Sequence, residues 1–175
     1  MTTEENADMT SRLLTAAVAA LLSGMACAAP DAAQDADKAA YDKALSAYSC
    51  VDYDRAFRLF SEAAKTGYSQ SEYMLGVMLS AGQGHEEDDK AAFDWFMRSA
   101  RQGLADAQYA LGDMYQKGEG VAKDDSQALF WFELAFRGGY KLAKDNVEAI
   151  MPHLNADQLE QVQKRLADWL AQPGR

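Results

Sequence analysis

The chain has 175 residues, of which 49% are hydrophobic and 25% charged, with three prolines and a formal net charge of −10 at pH 7. That composition excludes wholesale disorder, a collagen-like fibre and a disulfide scaffold, and it leaves room for long helices. So acidic a surface repels phosphate backbones and anionic lipid headgroups, which argues against nucleic-acid binding.

In chain order, the first predicted element is a targeting segment. Arg12 supplies a short basic region, residues 13–22 are small or apolar apart from Thr15, and Ala26-Cys27-Ala28 fits the small-x-small cleavage rule. Residues 1–28 are therefore expected to form a secretory signal peptide cleaved after Ala28. The residues ahead of Met9 are acidic, so Met9 is an alternative start. An apolar run of about ten residues is too short to span a bilayer, and no transmembrane span is expected in the mature chain. Lipoprotein processing at Cys27 is a second route, but Gly24 stands where a lipobox has Leu. The mature protein is thus expected in the periplasm or outside the cell. Residues 29–37, rich in Ala, Asp and Gln, are expected to be a flexible lead.

Cleavage would leave Cys50 as the only thiol, which excludes an internal disulfide. Cys50 is expected to be a small buried packing residue in a monomer, and a thiol-linked dimer through Cys50 is the alternative. His85 and His153 are expected as loop or helix-end polar residues.

An internal repeat decides the architecture. Residues 69–104 laid over 105–140 match at 13 positions, among them Tyr73 with Tyr109, Leu75-Gly76 with Leu111-Gly112, Asp88-Asp89 with Asp124-Asp125, and Trp95-Phe96 with Trp131-Phe132. The same step backwards reaches Ala56, Phe60, Ala64 and Gly67. Each unit reads as two helices. In the later unit Ala107, Ala110-Leu111 and Met114 recur at helical spacing up to Gly118 and Gly120, and Ala128, Trp131-Phe132 and Ala135-Phe136 form a second apolar stripe ended by Gly138-Gly139. One aspartate of each acid pair suits the N-cap of the second helix, an assignment that leaves neither pair as metal ligands or paired catalytic carboxylates. Gly76, Gly112, Ala92 and Ala128 would let paired helices approach closely. Trp95, Trp131 and the Phe after each are expected in the core. Beyond them, Pro152 breaks a helix, Asn155 can cap the next, and Leu159, Val162, Leu166 and Trp169-Leu170 make a closing stripe.

The segment AQYALGDMYQKGEGVAKDDSQALFWFELAFRGG, residues 107–139, resembles the Sel-1-like repeat, a relative of the tetratricopeptide repeat. The earlier unit departs from that pattern at Ser71, Leu79 and His85, and residues 38–68 resemble a tetratricopeptide-like opening hairpin. The resemblance implies an all-α fold, an α-solenoid of stacked antiparallel helix hairpins with about eight helices. Its parts would be a first hairpin over 38–68, repeats over 69–104 and 105–140, and C-terminal capping helices over 141–175. It also implies a protein–protein adaptor or scaffold, not an enzyme, with no cofactor and no metal. Single hairpins cannot bury their apolar faces alone, so they stack.

By the same resemblance the first helix of each hairpin lines a concave groove that would take a peptide or protein partner. Aligning the units on Ala44, Gly76 and Gly112 brings Tyr41, Tyr73 and Tyr109 into one column, Leu45, Val77 and Asp113 into the next, and Tyr48, Ser80 and Gln116 into a third. Tyrosine gives large contact area with a polar tip, which suits peptide recognition. Two placements stand at this level: tyrosines open to the groove, or tyrosines packed between hairpins. Two other roles are weighed against the adaptor. One is a structural or self-associating subunit of an envelope complex. The other is a hydrolase of cell-wall or β-lactam substrates, for which the chain lacks within-repeat cysteine pairs and a Ser-x-x-Lys motif.

Overall fold

The computed structural model describes residues 32–172, in two units, the first ending at Ala39 and the second beginning at Ala40. The expected signal segment lies outside the described residues. Within the first unit, residues 32–39 are helical, which corrects the expectation of a flexible lead for residues 32–37. Alanine, the strongest helix former, recurs through this stretch and offsets its aspartates. The helix they open, α1, covers residues 32–49.

In the second unit α1 is followed by α2 (Tyr53–Ala64), α3 (Ser69–Ser80), α4 (Asp89–Arg101), α5 (Ala105–Lys117), α6 (Asp125–Arg137), α7 (Ala143–Ile150), a 3₁₀ turn (Met151–His153) and α8 (Ala156–Leu170). From α2 to α7 each helix packs on its successor, and α8 turns back onto α6. The described residues therefore form eight α-helices and no strand, an α-solenoid of hairpins.

Helix starts follow the repeat. Asp52, Asp88 and Asp124, one repeat length apart, cap α2, α4 and α6: a carboxylate oxygen accepts from Arg55 N at 3.3 Å, from Ala91 N at 2.9 Å, and from Ser126 N and Gln127 N at 2.9 and 3.0 Å. Asp89 and Asp125 then sit in the first turns, where a negative charge favours the positive end of the helix dipole.

The core has the same period. Phe60, Phe96 and Phe132 are buried at successive second helices. A Cβ on Gly76 would lie 2.5 Å from the Phe96 ring, and one on Gly112 would lie 2.6 Å from Phe132. Only a residue without a side chain lets α3 meet α4, and α5 meet α6, at this distance. Trp131 is buried as expected, but Trp95 is only half-buried, with the Arg98 guanidinium 4.5 Å from its ring centre. The two part company because α8 covers α6, setting Trp169 at 5.3 Å from Trp131, while the outer side of α4 stays open.

The loop inside a hairpin seats on the start of the preceding hairpin's second helix. Gly84 and Gly120 take positive φ values of 71° and 67° and press against the backbone carbonyls of Tyr53 and Asp89, the first residues of α2 and α4. His85, beside the first of these seats, stacks on Phe57 of α2 with ring centres 5.1 Å apart.

Glu72 of α3 is buried and spans to α4, accepting from Arg98 Nε at 3.0 Å and Gln102 Nε2 at 2.6 Å. Burial pushes its carboxyl above the ordinary value, and Arg98 and Gln102 only partly oppose the shift. The folded state thus holds this proton more tightly than the unfolded chain. The resulting stability is fully present below the ordinary carboxylate pKa and falls as pH rises toward the raised one. Relative to Glu72→Gln, the wild-type chain is therefore expected to lose melting temperature as pH rises from the ordinary carboxylate pKa toward the raised one. Thermal melts of both proteins across that range check this, and parallel profiles would refute it.

At the far end Pro152 stands in the 3₁₀ turn and Asn155 caps α8. Its side chain accepts from Gln158 N at 2.9 Å, and the Gln158 side chain accepts from Asn155 N at 3.0 Å. Val162 and Leu166 are buried and Trp169 packs edge-on against Phe130 and Trp131, whereas Leu170 remains exposed. Cys50, expected to be buried, is exposed; it sits in the turn just beyond α1, beside Val51 in a left-handed conformation, where no packed helix covers it.

Candidate partner-binding face

The nine residues singled out in the sequence lie on the first helices of the hairpins, α1, α3 and α5. The tyrosine column combines the two placements considered above. Tyr41, Tyr73 and Tyr109 are half-buried, each with its ring against the buried Phe of the next helix: Phe60 at 5.7 Å, Phe96 at 5.7 Å and Phe132 at 5.2 Å. A ring with a rigid floor loses little freedom when a partner covers its other face.

The other two columns are less uniform. Tyr48 donates to Gln83 Oε1 at 2.9 Å and packs on Tyr53, so it braces α1 against the α3–α4 loop and the start of α2. Ser80 returns its hydroxyl to the Val77 carbonyl at 3.1 Å, and Val77 itself packs on the core. Asp113 is paired with Lys117 at 2.6 Å, while Leu45 is exposed and Gln116 half-buried.

Burial pushes the Tyr73 phenol up to about 12, with further contributions from Asp106, Tyr140, Tyr41 and Tyr48. Burial raises Tyr41 and Tyr140 as well, and Asp106 adds to both. These phenols stay protonated at neutral pH and present O–H donors. They also share one electrostatic neighbourhood that extends from α1 to the turn after α6.

A separate cleft of about 310 Å³ lies between α4, α6 and α8, lined by Met97, Arg101, Phe130, Trp131, Arg165 and Trp169. The Trp131 Nε1–H is buried without an acceptor among the described residues. No group of three or more His, Cys, Asp or Glu side chains among the described residues could hold a metal ion. No helix there is long and apolar enough to cross a membrane.

The family model of the Sel1 repeat matches residues 51–68, 69–104 and 105–140, which together cover half of the chain. The chain belongs to the Sel1 repeat family. Two solved structures resemble this Sel1 repeat chain. A protective antigen present in uropathogenic Escherichia coli strains and displaying an SLR fold superposes with a TM-score of 0.73 at 28% identity, over 77% of this chain and 30% of that one. The present chain thus spans about a third of that antigen. A Sel1 repeat protein from Oxalobacter formigenes superposes with a TM-score of 0.60 at 33% identity, over 65% of this chain and 88% of the other. No curated protein matches the chain. Sel1 repeats generally mediate protein–protein interaction.

Three members of the aromatic face escaped the sequence reading: Tyr68, Tyr140 and Asp106. Tyr68 packs on Tyr41 at 5.7 Å, and Tyr140 stacks on Tyr109 at 4.5 Å. Tyr68, Leu104 and Tyr140 occupy the last position of successive Sel1 repeats. That periodic signal was available, but an alignment of first helices alone overlooks a residue just before the helix.

Proposed function

We propose that the chain is a non-enzymatic protein–protein interaction module that holds a peptide or protein partner against the tyrosine-bearing side of α1, α3 and α5. The observation that carries this reading is the repeated unit of a half-buried tyrosine on a buried phenylalanine, with the Tyr73 and Tyr109 hydroxyls donating to no group among the described residues. Such rings combine apolar area with a free donor, the properties that make tyrosine a frequent anchor in interfaces. In this reading the chain acts as a monomer in the periplasm or outside the cell. That placement rests on the signal-like residues 9–28.

The test is crosslinked capture from the envelope fraction of the source cell, using the full chain and its Tyr73→Ala/Tyr109→Ala variant. Partner recovery is expected to fall at least tenfold in the variant, with helical circular dichroism retained at the assay temperature. Equal recovery by a folded variant would overturn the assignment of this face.

A further inference from the structure

Asp106 lies in the first turn of α5, one turn before Tyr109 and on the same side of the helix. A first-turn acid is accounted for in part by the helix dipole. The surroundings of this one go further. Its carboxylate is exposed and makes no hydrogen bond or ion pair among the described residues, in contrast to Asp113 one helix turn beyond Tyr109. The corresponding positions of the two neighbouring repeats hold Gln70 and Leu142, neither of them charged. Two ring pairs belong to the same face: Tyr41–Tyr68 from α1 and the residue before α3, and the stacked Tyr109–Tyr140 from α5 and the turn after α6. Tyr73 stands between them in the tyrosine column. The negative charge of Asp106 acts on the phenols of Tyr41, Tyr73 and Tyr140, which come from three different hairpins.

A carboxylate without a cation, one helix turn from a tyrosine and electrostatically coupled to three others, is complementary to a positive group that can pair with the acid and lie over a ring within about 6 Å. We infer that Asp106, together with Tyr41, Tyr73, Tyr109 and Tyr140 of the tyrosine face, seats one basic side chain, lysine or arginine, of a partner polypeptide. The inference rests on the reading of the tyrosine face as a partner surface and adds the chemistry of the residue it selects. The chain's net charge of −10 favours the approach of such a partner.

The experiment is selection of random 12-residue displayed peptides on the full chain, followed by fluorescence-polarisation titration of the enriched peptides. The proteins compared are wild type, Asp106→Asn and Tyr73→Ala/Tyr109→Ala, and each peptide is also made with its Lys or Arg replaced by Gln. Enriched peptides are expected to share a Lys or Arg, and affinity is expected to fall at least tenfold in Asp106→Asn and with the Gln peptide. Asp106→Asn should melt within a few degrees of wild type. Should it unfold, the peptide replacement decides by itself. Peptides that need the tyrosines but ignore both Asp106→Asn and the Gln replacement would overturn the basic seat and leave the tyrosine face standing. No enrichment, or peptides indifferent to the tyrosine variant, would overturn both.

Discussion

Gly120→Ala is expected to lower the unfolding free energy by about 3 kcal/mol, or about 6–12 °C in melting temperature for a chain of this size. Two effects add. The residue has φ of +67°, a conformation that costs an L side chain about 1–2 kcal/mol. Its new Cβ would also be driven into the Asp89 carbonyl, and a backbone carbonyl at a helix start cannot swing aside as a flexible side-chain end can. Gly103→Ala separates the two contributions, because Gly103 has φ of +92° and nothing lies within 4 Å of where a Cβ would stand. Urea denaturation of both variants should show Gly120→Ala losing about twice as much as Gly103→Ala. Equal losses would mean that the loop–helix seat yields freely.

Phe132→Ala is expected to remove about 3–5 kcal/mol, since the side chain is fully buried and its loss leaves a cavity between α5 and α6. The neighbouring glycine gives this prediction a second arm. Gly112→Ala alone should destabilise, because its Cβ would lie 2.6 Å from the Phe132 ring. In the Phe132→Ala background the ring is gone. The same substitution should then stabilise by up to about 1 kcal/mol, the helix-propensity difference between Gly and Ala. A double-mutant cycle by urea titration would show this reversal of sign, and simple additivity would refute the packing account. Phe132→Ala also removes the floor beneath Tyr109, so binding at the tyrosine face should weaken although no surface residue has changed.

Elements that recur were legible from sequence, because each was written at least twice. The glycines at Gly76 and Gly112 mark close helix contacts, Asp88 and Asp124 mark helix starts, and both are found as expected. What escaped depends on which neighbour covers a position, information that periodicity does not carry. Trp95 and Trp131 are equivalent in the repeat, yet only the second lies under α8. Cys50 resembles a small core residue by type but falls in a turn past the end of α1. The proposed partner face was half legible. Its tyrosine column follows from helix spacing, whereas Tyr68 and Tyr140 precede helices and Asp106 has no repeated counterpart to draw attention to it. Residues 32–37 show the opposite error, a composition taken as flexible in which alanine propensity prevails.

The loop seats of Gly84 and Gly120 imply how such a chain can lengthen. At the start of the preceding second helix each seat meets backbone atoms, a surface that successive units present alike whatever their side chains. A duplicated stretch equal to residues 105–140 would arrive with its own seat and offer the next unit an identical landing. Copy number can therefore change in whole units without redesign of these loop seats, while the tyrosine-bearing face diversifies one unit at a time.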